Sequence, residues 1–273
     1  MGLAGLTKGL SRAEPFVLLF AVVGAVLITF IALPLVATVV YEGPGDLVTA
    51  LEDPEVRSAI TVSFGAALLA TALSLVFGIP LAYIMARKQF PGKGVLQGII
   101  DVPIVVPHTV AGIALLVVFG RMGMFSDEMS ALDLKFEDHL LGIIAAMMFV
   151  SASFVVNAVR EGFEAVDPRL EHVARSLGAS GSQAFMTVTL PLSGSAVLTG
   201  AVMAWARAVS EFGAVYIIAS FPKIAPTLMY ERNLHSGLSE SMPVAALLVV
   251  LCVGIFVTFR TVSVYLKKRS EET

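Results

Sequence analysis

The sequence predicts an all-α polytopic membrane protein with six transmembrane helices and both termini in the cytoplasm. Three observations carry that prediction. Of the 273 residues, 57% are hydrophobic and 14% charged, against about 25% charged in a soluble domain, and the mean hydropathy is +0.87. Six stretches reach the roughly 20 mostly apolar residues that a bilayer crossing needs, over 16–40, 58–86, 94–119, 140–159, 192–220 and 244–266. The basic residues fall mainly on one side of these spans. The same composition excludes a water-soluble or disordered chain. A net charge of −3 and a pI near 5.8 provide no overall basic surface for nucleic acid. The single cysteine, Cys252, lies in an apolar run, which excludes a disulfide framework and a multi-cysteine metal site.

The first span follows Lys8 and Arg12, as a signal peptide would, but its apolar run exceeds the ~7–15-residue core of such peptides and reads as a retained helix. With the N-terminus inside, the inner segments hold Lys8, Arg12, Arg87, Lys88, Lys93, Arg160, Arg169, Arg175, Arg260, Lys267, Lys268 and Arg269. The outer segments hold Arg57, Arg121, Lys135, Lys223 and Arg232, and Arg207 lies within a span. That excess of inner cations fixes the orientation by the positive-inside rule. Lys267-Lys268-Arg269 reads as a stop-transfer anchor, and Arg87-Lys88 anchors the end of the second span. Between the first two spans, Leu47, Ala50 and Leu51 have helical spacing, so 41–57 predicts a short amphipathic helix on the outer surface. The outer segment 121–139 is acidic and has no long apolar run. With no internal repeat and no low-complexity tract, 1–273 reads as one transmembrane domain of a multi-pass cell-membrane protein.

In the third span, Pro103 and Pro107 each remove a backbone donor and predict a kink or unwound turn, tolerated at membrane depth where the freed groups line a cavity. This span is expected to border a gate. His108 is open to two readings, a satisfied polar contact or a substrate ligand. Asp101 is expected to pair or to lie near basic residues at the inner interface. The fifth span carries Arg207 and Glu211, four apart on one helix face and able to pair. They are either a structural ion pair or part of the translocation path, since intramembrane charges usually face a protein interior or a wet cavity. The histidines are scattered, Met147 and Met148 read as core fillers, and no metal site is expected.

The inner segment 160–191 is the most informative. Asp167 before Pro168 forms an N-cap and a first-turn proline. Leu170, Val173, Ala174 and Leu177 then share one face, and Gly178 ends the helix. A second short helix is expected from Ser180 or Ser182, with Pro191 opening the next span. The array His172-Val173-Ala174, Gly178, Val188, Leu190-Pro191 has the spacing of the Glu-Ala-Ala/Gly/Ile/Leu-Pro loop of ABC importer permeases, and the chain resembles that family. It departs from the pattern in two places, with His172 at the glutamate position and Val173 for the first alanine; Glu171, one residue earlier, points about 100° away around the helix.

The resemblance implies a type I ABC importer permease fold. It also implies that 160–191, with Asp167, Pro168, Leu170, Glu171, His172, Val173, Ala174, Leu177, Gly178, Leu190 and Pro191, is the coupling loop docking on a cytoplasmic ABC ATPase dimer. ATP and magnesium then belong to that partner, in keeping with the lack of a Gly-x-x-x-x-Gly-Lys-Ser/Thr loop here, and this chain is a non-catalytic transport subunit needing no cofactor of its own. Segment 206–214, Ala-Arg-Ala-Val-Ser-Glu-Phe-Gly-Ala, and its continuation to Arg232 resemble permeases for tungstate and molybdate, which implies an external binding protein and a second permease copy as partners. Pro103, Pro107, His108, Arg207 and Glu211 are the candidates for path or gate. Two alternatives stand beside this reading: a permease for sulfate, thiosulfate or another small solute, and an ion-gradient-driven secondary transporter using Arg207 and Glu211 for proton coupling. A membrane-embedded enzyme would need a convergent catalytic cluster, and the sequence holds none.

Overall fold

The computed structural model describes residues 15–271, with side chains described up to Phe259 and at Thr261. Lys8 and Arg12 therefore lie outside the described residues, as do the side chains of Arg260 and the 267–269 anchor. All described regular elements are helices. Four are long and apolar enough to cross a membrane, and two bent helix pairs, each taken as one broken span, give six.

Helix α1 (Pro15–Tyr41) is apolar all round and buries no residue, the pattern of a helix surrounded by lipid; its protein neighbour is the last helix. Helix α2 (Pro44–Glu52) is the short amphipathic helix expected from Leu47, Ala50 and Leu51. Its Asp46 carboxylate accepts from the Gly43 N–H at 3.0 Å. The apolar side does not lie free on a surface, because Leu47 and Ala50 pack with Val56, Ala59, Leu228, Val244 and Leu247.

Helix α3 (Pro54–Arg87) begins at the Asp53 cap, whose side chain accepts from the Glu55 N–H at 2.8 Å. Its 34 residues extend about 51 Å. The buried side of α3 is built from small residues, including Ala59, Ser63, Ala66, Ala67, Ala70, Ser74, Gly78 and Ala82. Small side chains let helix backbones approach closely where no water drives association. The buried hydroxyls of Thr71, Ser74 and Ser151 donate to carbonyls one turn back at 2.7–2.8 Å, so these three hydroxyls are not stranded. Against this side lies α7 (Leu140–Ala165), the central helix, which buries Ile143, Met147, Val150, Val155, Val159 and Phe163.

The third span is broken into α4 (Lys93–Val105) and α5 (His108–Phe119), which meet at 115°. The break falls at Val106-Pro107 and not at Pro103, which sits inside α4. A residue preceding proline is driven out of the α region, and Val106 is extended at φ −67°, ψ 131°. Asp101 does not pair with a cation. Gln97 and Asn157 donate to its two oxygens at 2.8 and 2.7 Å, tying α4 to α7. Helix α6 (Ser126–Ala131) follows in the acidic segment.

The 160–191 loop folds as α8 (Pro168–Ser176), α9 (Gly181–Ala184), a wide π turn over Phe185–Thr189 and α10 (Leu190–Leu192). The chain bends by 71° between 181–192 and 194–209. The expected fifth span is therefore not one helix from residue 192. It is α11 (Gly194–Val209), a break at 210–212, and α12 (Gly213–Ile218). After α12 the chain folds back as α13 (Ala225–Ser236), which buries Ala225, Pro226, Thr227 and Leu228 and has no counterpart in the sequence reading. Arg232 and Lys223 bond Asp53 and Glu55 at 2.7–3.0 Å, fastening α13 to the start of α3. Arg232 holds the Asp53 carboxyl below its usual range, chiefly by that hydrogen bond. Helix α14 (Leu238–Glu271) is the sixth span and begins six residues before the expected one, at 238 against 244.

Candidate functional site

Two clusters stand out, one at each of the places the sequence singled out. In the loop, Asp167 accepts from the Arg169 N–H at 2.9 Å, as an N-cap should, with Pro168 in the first turn. The far end of α8 closes in a Schellman motif: Gly178 N–H donates to Arg175 O at 3.0 Å and Ala179 N–H to Ala174 O at 3.1 Å. Gly178 has φ +100°, a conformation that costs a residue with a β-carbon about 1–2 kcal/mol. Ser180 caps α9 reciprocally with Gln183, and the wide turn precedes Pro191, whose ring would clash with the carbonyl four residues back.

The expected apolar face of α8 divides in two. Leu170, Val173 and Leu177 are 46, 58 and 85% exposed, and His172 and Arg175 are exposed beside them. The neighbouring stripe, about 40–100° further around the helix, carries the half-buried Glu171 and Ala174 towards the bundle. Glu171 is the ion-pairing residue, in place of the His172 that occupies the family's glutamate position. Its carboxylate receives Arg87 Nε at 2.8 Å, Tyr83 OH at 2.9 Å and Thr189 Oγ1 at 2.6 Å. Arg87 also donates to the carbonyls of Phe163 and Val166 at 2.8 and 3.1 Å, at the end of α7 where carbonyls lack the full set of helical partners; the Phe163 carbonyl accepts the Val166 N–H as well. Below them Phe185 meets Tyr83 and Phe163 edge-on, at centroid distances of 4.9 and 5.7 Å.

Burial of Glu171 opposes its ionisation, but the bonds from Thr189, Arg87 and Tyr83 together outweigh it and hold the carboxyl below its ordinary range. A depressed carboxyl stabilises the fold above its unfolded-state value and loses that contribution as pH falls through the folded one. Proteolytic cleavage of the loop should therefore be pH-independent near neutrality and rise as the pH drops below about 4. Glu171→Gln should remove that rise.

The second cluster sits where the break in the third span meets the break between α11 and α12. Glu211, 1% exposed, lies past the end of α11 and accepts from the Ala214 N–H at 2.8 Å and from Arg207 Nη2 at 2.7 Å. Arg207 and Glu211 therefore pair as expected, though across the helix break and not along one continuous helix. His108, at the first position of α5, places Nδ1 3.0 Å from Glu211 Oε2 and Nε2 2.8 Å from Arg207 Nη2. Arg207 Nη2 also lies 2.7 Å from His108 Nδ1, and since a guanidinium only donates, the imidazole is the acceptor of that contact. His108, Thr109, Arg207, Ser210, Glu211, Phe212 and Gly213 line a cleft of about 390 Å³. Pro107 contributes the break that brings His108 here; Pro103, one turn earlier in α4, does not line the cleft.

Residues 78–270 match the family described as binding-protein-dependent transport system inner membrane component. The chain belongs to this family. The permease is 44% identical over 252 residues, 91% of its length and 96% of the relative's, to a molybdate/tungstate transport system permease protein of Thermococcus kodakarensis. It is 35% identical over 195 residues, 70% of its length and 69% of the relative's, to a probable sulfate transport system permease protein of Nephroselmis olivacea. Its fold is shared with a solved bacterial ABC transporter for the acidic polysaccharide alginate, at TM-score 0.69 and 18% identity, covering 94% of the permease and 98% of that chain. The permease is thus a membrane-embedded transport subunit with the architecture of ABC importer permeases.

Sequence reasoning missed three features of these clusters. Arg87 was read only as an interface anchor, although its register one turn after Tyr83 puts both at the loop. Thr189 gave no signal. Phe212, Tyr216 and Tyr230 meet in tilted and edge-on pairs at 5.0–5.5 Å and join α12 to α13; the spacing of Phe212 and Tyr216 predicts one shared face, but nothing local announces Tyr230. In the permease, Gly178→Val should loosen α8 by the strain given above, measured as faster proteolysis at 176–181 with the thermal transition of the bundle unchanged.

Proposed function

We propose that the permease is the membrane-spanning subunit of an ATP-driven importer for tungstate and molybdate. It receives the anion from an external binding protein, works as two copies about a two-fold axis, and couples through 160–191 to a separate cytoplasmic ATPase dimer. The observation that carries the coupling role is the exposed stripe Leu170, Val173 and Leu177 on a helix capped at both ends. A solvated connector has no need of three large apolar side chains held in register, whereas a helix docked in a partner's groove does. Both termini then lie in the cytoplasm, as the distribution of basic residues requires. Substrate class is supported by the 44% identity to the Thermococcus kodakarensis relative.

The cleft between the broken spans is assigned to the translocation path. Arg207 there donates from Nη1 to Ser210 Oγ at 3.3 Å, and Thr109 lies on the cleft wall beside it. Donors of this kind suit a tetrahedral oxyanion. Full neutralisation of Arg207 by Glu211 keeps the cleft from holding the anion tightly, which a conducting path requires.

The test is ATP hydrolysis by the reconstituted permease, ATPase and binding protein against tungstate, molybdate and sulfate. Stimulation by the two heavier anions alone supports the assignment. The second reading, a sulfate permease, is favoured by the Nephroselmis olivacea relative, and stimulation by sulfate alone would establish it instead.

A further inference from the structure

Glu171 and Arg87 are 84 residues apart, with side chains only 12 and 9% exposed, and are in contact at 2.8 Å. Between them they join four pieces of chain: α8 through Glu171, the end of α3 through Tyr83 and Arg87, the end of α7 through the Phe163 and Val166 carbonyls, and the turn into α10 through Thr189. The outward stripe of α8 makes none of these contacts. A helix joined to the bundle only through its two flanking turns, at Val166–Asp167 and Leu177–Ser180, would pivot when pushed. Five half-buried bonds made by one carboxylate and its arginine remove that freedom. The opposite end of α3 is fixed as well, by Asp53 and Glu55 to Arg232, so a push delivered at Arg87 acts on a strut held at both ends.

We propose that Glu171 is a positioning residue that, through Arg87, Tyr83 and Thr189, locks the coupling helix to the ends of α3 and α7, so that displacement of the loop is passed to the membrane helices. The proposal rests on the reading of α8 as the element on which the ATPase docks. It separates the two faces of that helix by task. Leu170, Val173 and Leu177 meet the partner, and Glu171 holds the helix to its own chain.

The experiment uses the complete complex of permease, ATPase and binding protein in liposomes, with tungstate as the probe, and reads the number of tungstate ions taken up per ATP hydrolysed. This ratio does not depend on how much complex is present, so a merely less stable variant leaves it unchanged. Glu171→Gln should lower it at least about tenfold, within the usual span of coupling between sites. Arg87→Lys keeps the charge but serves fewer of the acceptors and should fall between Glu171→Gln and the wild type. A ratio unchanged in Glu171→Gln overturns the lock. If that variant does not assemble, the Tyr83→Phe/Thr189→Val double variant, which spares the ion pair, decides: a lowered ratio supports the lock and an unchanged one refutes it. A wild-type permease that never binds the ATPase would instead refute the docking reading.

Discussion

Glu211→Ala should destabilise the permease by about 3–5 kcal/mol, the cost of breaking a buried ion pair from one side. The carboxylate is 1% exposed and serves three neighbours at once: the Arg207 guanidinium, the His108 imidazole and the Ala214 N–H. Its loss leaves a guanidinium within the membrane without its counter-charge and a short helix without its cap. Arg207→Gln should cost less, because the Ala214 N–H and His108 continue to bond the carboxylate. The Arg207→Gln/Glu211→Gln double variant should recover most of the lost stability, since two amides of similar shape carry no buried charge. Thermal unfolding in detergent of the wild type, Arg207→Gln, Glu211→Gln and the double variant measures all four corners of this cycle. The double variant should nevertheless remain inactive in tungstate uptake, which separates the role in the path from the role in the fold. A loss in the double variant equal to the sum of the two single losses would show that the pair is not coupled.

Gly112→Val is the second large effect expected. A β-carbon at Gly112 would lie 2.7 Å from Ile217 Cβ, 2.8 Å from the Ala214 carbonyl oxygen and 3.0 Å from Ala214 Cα. Two of these are backbone atoms of α12, which cannot rotate aside, so α5 and α12 must separate. Overpacking of this kind costs about 1–3 kcal/mol. The separation also pulls Ala214 away from Glu211, so uptake should fall further than stability alone explains. Gly98→Ala is the control. Nothing lies within 4 Å of its β-carbon, and alanine favours the helix by about 1 kcal/mol, so the thermal transition should hold or rise.

What the sequence revealed follows from which interactions are local. The spans were legible because length and apolarity along the chain decide a crossing. The α8 caps were legible because Asp167, Pro168 and Gly178 act on residues two to four positions away. The breaks were half legible: two prolines in the third span announced a kink, and only the restriction that Pro107 places on Val106 locates it. The break at 210–212 has no proline and came unannounced; there the backbone is held by the Glu211 contacts to Ala214, Arg207 and His108, the last of which is 103 positions away. Helix α13 was invisible as a buried element because its sequence, with Glu231, Arg232, Asn233 and His235, reads as a polar connector. Its burial rests on the first turn alone. The tie between Glu171 and Arg87 could not be found from spacing, since only the packing of α3 against α7 brings them together.

The source of energy separates an ATP-driven importer from a secondary transporter. Proteoliposomes holding the permease and its ATPase, with binding protein and labelled tungstate outside, allow ATP and a proton gradient to be supplied separately. Uptake with ATP enclosed, and none with a gradient alone, is the expected result. Tungstate accumulation driven by the gradient without ATP would contradict it, and would make Arg207 and Glu211 the coupling machinery of a secondary transporter.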